Sequence, residues 1–168
     1  PLGSMANRQG RVIGTNLGGG QATFEGVVGS WCVKLNEMYA SGAGLTLRQA
    51  KAAGFDAIEV SVEGADKAHF YPGHTNASIN LVVDQKSRRV LGVQGMSTDG
   101  SAIKARTDAV AALLQSSKPT LNEVSNLEVC YAPPFAGAMD VINAVANVAD
   151  NVVRGPHKII TPAEFMEL

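Results

Sequence analysis

The 168 residues suffice for one domain with a sizeable core, and 45% hydrophobic against 17% charged residues excludes a disordered chain. A net charge of -1 supplies no overall attraction to nucleic acid or to an anionic membrane, and no apolar run reaches the roughly 20 residues of a membrane span. Cys32 and Cys130 form no C-x-x-C and have no histidine close in sequence. Their spacing excludes a zinc knuckle or a thioredoxin-type site, and two buried thiols in a reducing cytoplasm are expected instead.

Residues 1–5, PLGSM, have the form of a protease-site remnant and a cloned methionine. ANRQGRVIGTN predicts a short helix and LGGGQATFEG a hinge. VVGSWCVKLNE, rich in β-branched and aromatic residues, predicts a strand. TLRQAKAAGFD predicts a helix capped by Thr46 and stopped by Gly54. FDAIEVSVEG alternates, with Ala57, Glu59 and Ser61 on one face and Ile58, Val60 and Val62 on the other.

ASINLVVD and RRVLGVQGM flank a polar turn at Asp84–Ser87 and predict a hairpin. A helix follows with Ile103, Val110 and Leu113 or Leu114 on one stripe, and Thr120 with Glu123 forms a capping box that opens a short helix. The last long helix is expected at 138–153. Its apolar surface, including Met139, Ile142, Val145 and Val152, is interrupted only by Asp140, Asn143, Asn147, Asp150 and Asn151. Such a wide stripe implies burial on two sides: against the sheet, and against a neighbouring domain, a second copy or the rest of its own core. Thr161-Pro162-Ala163-Glu164 is a helix-start signal, so the natural protein is expected to continue. Grouped strands with hairpin connections make the expected class α+β, an antiparallel sheet with helices on one face, and not a nucleotide-binding βαβ fold.

Few polar groups suggest chemistry. His69 and His74 share a loop with Tyr71, but no third ligand lies nearby, so a surface turn competes with a metal pair and no metal is assigned. No G-x-S-x-G is present, and Gly14 and Gly18–Gly20 read as a hinge rather than a phosphate cradle. What recurs is tyrosine beside proline: Tyr71-Pro72-Gly73 and Tyr131-Ala132-Pro133-Pro134. Proline stiffens a loop, and a phenol keeps its proton at neutral pH and can donate a hydrogen bond to a developing thiolate. Two phenols on rigid loops would complete a site whose nucleophile lies elsewhere.

ANRQGR followed by glycines, GLTLRQAKAAGFD, HFYPG, LGVQGM and YAPPFAGAMDVINAVANVA together resemble the C-terminal part of pyridine nucleotide-disulfide oxidoreductases. The nearest branch is that of coenzyme A disulfide reductases, NADH oxidases and persulfide reductases. The resemblance covers nearly all of residues 6–153. It implies a FAD-domain tail and hinge at 6–25 and a dimerisation domain at 26–155. Residues 156–168 would be a linker and the start of a following domain, since IITPAEFMEL resembles the first helix of a rhodanese domain. It implies FAD and NAD(P)H as cofactors of the parent, none of them expected on this fragment, with Ala6, Asn7, Arg8 and Gln9 near FAD.

Tyr71 and Tyr131 would reach the partner subunit's active site in a homodimer, where a cysteine of the flavin domain attacks disulfide sulfur. Coenzyme A or a persulfide would be the parent's substrate, and the missing FAD and NAD domains its further partners. Cys32 and Cys130 do not match the nucleophile's context. The isolated fragment is expected to be inactive. The rival expectation is a non-catalytic interaction module that docks a partner through helix 138–153, with its tyrosines as anchors.

Overall fold

Local signals decide where most elements begin and end. The computed structural model describes residues 2–155, 157–160 and 162–168. Helix α1 runs Leu2–Leu17. It is longer than the short helix expected, because residues 2–5 join it and Leu, Met, Ala, Arg and Gln favour helix. It ends at the glycines, where the Gly18 amide donates to Gly14 O and the Gly20 amide to Thr15 O.

The strand expected over residues 27–37 is a hairpin arm, β1 (Trp31–Leu35), and β2 (Met38–Gly44) pairs back on it. Asn36, at φ 53°, supplies the left-handed residue that a two-residue hairpin turn requires. β2 has no counterpart in the sequence reading because MYASGAG carries no β-branched residue. Its small residues answer to packing instead. Ser41 Oγ lies 2.7 Å from Thr107 Oγ1, and a Cβ on Gly42 would come within 2.9 Å of the Trp31 indole.

Helix α2 (Leu47–Ala52) starts as its sequence dictates. The Gln49 amide donates to the Thr46 hydroxyl, the Thr46 amide donates to Gln49 Oε1, and Gly54 at φ +85° follows the end. β3 (Ala57–Ala65), β4 (Asn76–Asp84) and β5 (Val90–Ser97) complete a five-stranded antiparallel sheet in the order β1-β2-β5-β4-β3. The β4–β5 turn runs past the expected Ser87 to Arg89, with Arg88 at φ 59° and the Asp84 carboxylate accepting the Ser87 amide at 3.0 Å.

Helices α3 (Gly100–Ser116), α4 (Leu121–Ser125) and α5 (Val141–Val153) cover one face of the sheet, and the described chain ends in α6 (Pro162–Met166). The core between them holds Ile79, Leu81, Val93, Ile103, Val110, Leu121, Ile142 and Val145, all essentially inaccessible. Each contributes about 1.5–3 kcal/mol of burial. This is the α+β architecture expected. Helix α2 adds a small second cluster of Ala50, Ala57, Val82 and Leu91, and the register puts this cluster on the opposite face. The rest of that face displays Trp31, Val33, Leu35, Met38 and Met96.

Helix α5 begins at Val141, not at 138, because Asp140 is its N-cap; Met139 therefore lies outside the helix and is exposed. Its two-sided burial is met inside the chain by the sheet on one side and α4 on the other. The polar residues that break its apolar surface are largely fasteners. Asn143 Nδ2 donates to the carbonyls of Val124, Ser125 and Leu127, Ser125 Oγ donates to Asn147 Oδ1, and Asp150 pairs with Arg88 and Arg154. None of its apolar side chains is fully exposed, and Ala144, Val148, Val152 and Val153 are half-buried. The helix start expected at Thr161 falls on a residue outside those described.

Candidate functional site

Two loops carry the tyrosines, and each is fixed by its own backbone hydrogen bonds. Where β3 ends, the Asp66 amide donates to Thr75 O at 2.9 Å and the Thr75 amide returns to Asp66 Oδ1 at 2.7 Å, closing the base of loop 66–75. Within it the Tyr71 amide donates to Ala68 O, and Gly73 at φ +74° makes the turn after Pro72. In the second loop Pro133 and Pro134 limit the backbone, and the Phe135 and Ala136 amides both donate to Ala132 O. The two loops meet directly: the Ala68 amide donates to Pro133 O at 3.2 Å.

Beneath them lies Arg106 on α3, only 7% exposed. Its Nε and Nη2 donate to Asp140 Oδ1 and Oδ2 at 3.1 and 2.6 Å. Nη2 also donates to Asp66 O at 2.7 Å, and Nη1 to Ala102 O at 3.0 Å. Asp140 Oδ1 accepts the Ile142 amide as well, so one carboxylate both caps α5 and holds the arginine. A buried ion pair survives only when such hydrogen bonds offset its desolvation, and here the guanidinium forms four. One side chain thus joins the base of the Tyr71 loop to the end of the Tyr131 loop.

The loops display Tyr71, 38% exposed, and Tyr131, 57% exposed, together with Phe70, Phe135 and Met139. A cavity of about 420 Å³ opens beside them, lined by Lys67, Asp99, Arg106, Cys130, Phe135 and Asp140. The Ser101 hydroxyl holds the Asp99 carboxyl below its ordinary range, helped by the amides at the start of α3. Two phenols aimed outward from fixed backbone can donate hydrogen bonds to an anion without bringing charge of their own.

Both cysteines are exposed, which corrects the expectation of buried thiols. Cys32 sits on the edge strand and Cys130 in the irregular segment that leads to Tyr131. His69 packs edge-on against Phe70, at 5.6 Å between ring centroids. Among the described residues no three histidine, cysteine or carboxylate side chains gather to hold a metal. Ala6, Asn7, Arg8 and Gln9 are all exposed on α1. Arg8 lies over the Phe24 ring and, with Arg11 and Thr23, lines a groove of about 220 Å³. The two guanidinium groups share this groove lining with Glu25, and a groove of that size does not enclose a dinucleotide.

Sequence reasoning singled out Tyr71 and Tyr131 and missed the groups bonded beneath their loops: Arg106, Asp66 and Asp140. Each left a trace. Arg106 interrupts the buried side of a helix between Ile103 and Val110, and Asp140 precedes an apolar helical run at the N-cap position.

Comparison with known proteins places this architecture. Residues 32–141 match the pyridine nucleotide-disulphide oxidoreductase dimerisation domain. The NAD(P)H sulfur oxidoreductase (CoA-dependent) of Pyrococcus furiosus is 33% identical over 148 residues, 88% of this chain and 33% of its own length. The solved NAD-dependent persulfide reductase from A. fulgidus superposes with a TM-score of 0.90 at 37% identity, over 95% of this chain and 29% of that one. A FAD-dependent pyridine nucleotide-disulphide oxidoreductase from Desulfovibrio vulgaris is 52% identical with a TM-score of 0.75, over 90% of this chain and 33% of that one. The chain spans about a third of the length of the curated relatives it matches. Sheet, helices and sequence together make this chain a member of the pyridine nucleotide-disulphide oxidoreductase family, through its dimerisation domain.

Proposed function

We propose that this chain is the dimerisation domain of a FAD- and NAD(P)H-dependent oxidoreductase that reduces coenzyme A disulfides, persulfides or polysulfides. In the homodimer, Tyr71 and Tyr131 of one subunit serve the active site of the other. The observation that carries this reading is the hydrogen bond from the Ala68 amide to Pro133 O, which ties together two loops that each display a phenol. The names of relatives that reduce persulfide or act with coenzyme A support the substrate class.

The flavin, held by the rest of the parent protein, supplies the electrons taken from NAD(P)H. The work of this chain is positional. The phenolic O–H groups of Tyr71 and Tyr131 donate to the sulfur that carries negative charge as a disulfide bond is attacked and broken. Donors fixed in advance stabilise that charge without reorganising at the moment of reaction. Ala6, Asn7, Arg8 and Gln9 lie on the helix that leads back toward the flavin-binding part.

Replacing Tyr131 by Phe in the full-length enzyme tests the reading. Turnover of coenzyme A disulfide is expected to fall about a hundred- to a thousandfold, the range for losing one preorganised donor, with the dimer intact. Unchanged turnover with disrupted assembly would overturn it and leave Tyr131 as an interface anchor.

A further inference from the structure

We infer that Arg106 is the positioning residue of the tyrosine pair, a single side chain bonded both to the base of one loop and to the residue that closes the segment carrying the other. The inference rests on the proposed role of Tyr71 and Tyr131 and extends it to a residue that touches no substrate. Its ground is connectivity. Loop 66–75 joins β3 to β4, and loop 131–136 lies between α4 and α5, so the two meet only through the packing of α5 on those strands and through bonds made by the loops themselves. Their direct link is the single amide bond from Ala68 to Pro133. Arg106 adds three further bonds, one to Asp66 O at the base of the first loop and two to Asp140, the N-cap of α5 that closes the segment carrying the second. Its fourth bond, to Ala102 O, ties the guanidinium to its own helix, α3, which is packed on the sheet.

The fork geometry matters as much as the charge. Three positions in different directions are met by one planar group with fixed N–H vectors, which an ammonium on a flexible stem cannot reproduce. Substituting Lys at this position keeps the charge and loses the fork. The Ala68 bond and the packing of α5 on β3 and β4 would then be left to hold the loops, and the separation of the two phenols would fluctuate more. Misplacing a catalytic donor by about 1 Å is enough to cost on the order of a hundredfold in rate.

The test has two arms. In this chain, hydrogen exchange at the Ala68 amide is compared with exchange at core amides such as Leu81 and Val93. With Arg106→Lys, exchange at Ala68 is expected to rise at least about tenfold while the core amides stay protected, the pattern of a local rather than global opening. In the full-length enzyme, Arg106→Lys is expected to lower kcat for coenzyme A disulfide about ten- to a hundredfold. KM for NADH and direct reduction of ferricyanide by the flavin should be unchanged. In a Tyr71→Phe/Tyr131→Phe background the same substitution is expected to cost little more. If Arg106→Lys fails to fold, Asp140→Asn, which keeps an acceptor for the Ile142 amide, replaces it with the same expectations.

Unchanged exchange at Ala68 together with unchanged kcat would overturn the positioning role while leaving the tyrosines untouched. A normal kcat in the Tyr71→Phe/Tyr131→Phe enzyme would instead overturn the tyrosine reading. In that case a rise in Ala68 exchange would leave Arg106 a purely structural anchor and overturn its positioning role too.

Discussion

The amide of Ala68 and the carbonyl of Pro133 meet at 3.2 Å, although one follows the third strand of the sheet and the other precedes its last long helix. That contact brings a Tyr-Pro-Gly turn beside a Tyr-Ala-Pro-Pro segment. Removing the donor with Ala68→Pro is expected to cost at least about 1 kcal/mol, the usual net worth of such a bond. Urea unfolding of this chain measures it; an unchanged midpoint would mean that the loops stand independently.

Asp140 holds Arg106 and caps α5 with the same carboxylate. Asp140→Ala removes both and leaves a buried guanidinium without its partner, an expected loss of about 3–5 kcal/mol. Asp140→Asn keeps an acceptor at the cap and is expected to cost clearly less. Equal midpoints for the two variants in a denaturant titration would show that the cap acceptor contributes nothing and that the loss comes from the charge pair.

Two neighbouring glycines of β2 should respond oppositely to alanine. At Gly42 the nearest neighbours of an added Cβ are atoms of the Trp31 indole, which is 45% exposed and can swing aside. Trp31 is the only tryptophan, so Gly42→Ala is expected to shift the emission of the chain with little loss of stability. At Gly44 the backbone is at φ +74° and the Cβ would collide with Leu91 O. Gly44→Ala is expected to cost more than the roughly 1–3 kcal/mol of a strained backbone alone. Thermal unfolding separates the two cases.

Asp84 and Asp99 give the fold an acid limit. Hydrogen bonds from Ser87 hold the Asp84 carboxyl below its usual value, and the Ser101 hydroxyl does the same for Asp99. Both are depressed in the folded state. The stability they contribute is therefore complete above the unfolded value of about 3.9 and is lost as pH falls through the lower folded value. Unfolding midpoints at pH 7 and pH 3 should drop for the native sequence and drop less for Asp99→Asn.

How much of this was legible depended on whether a feature is local. The Thr46–Gln49 cap, the Gly54 stop, the Thr120–Glu123 box and the β4–β5 hairpin are each written within a few residues, and the structure has them. β2 was hidden because its residues are selected by close packing against Trp31 and Thr107 rather than by strand propensity. The α5 stripe showed two-sided burial, but only tertiary structure reveals that α4 supplies the second side. Proline marked both tyrosine loops, whereas Arg106 resembles any helical arginine until Asp66 and Asp140 are brought to it from distant parts of the chain.

The most direct test of the central claim is complementation between subunits of the full-length enzyme. One subunit carries Tyr71→Phe and Tyr131→Phe with its flavin-domain thiol intact; the other keeps its tyrosines and lacks the thiol. If the phenols act across the dimer, mixed dimers of two nearly inactive proteins regain coenzyme A disulfide reduction at one of their two sites. No recovery in dimers whose mixed composition is established by mass would contradict action across the interface.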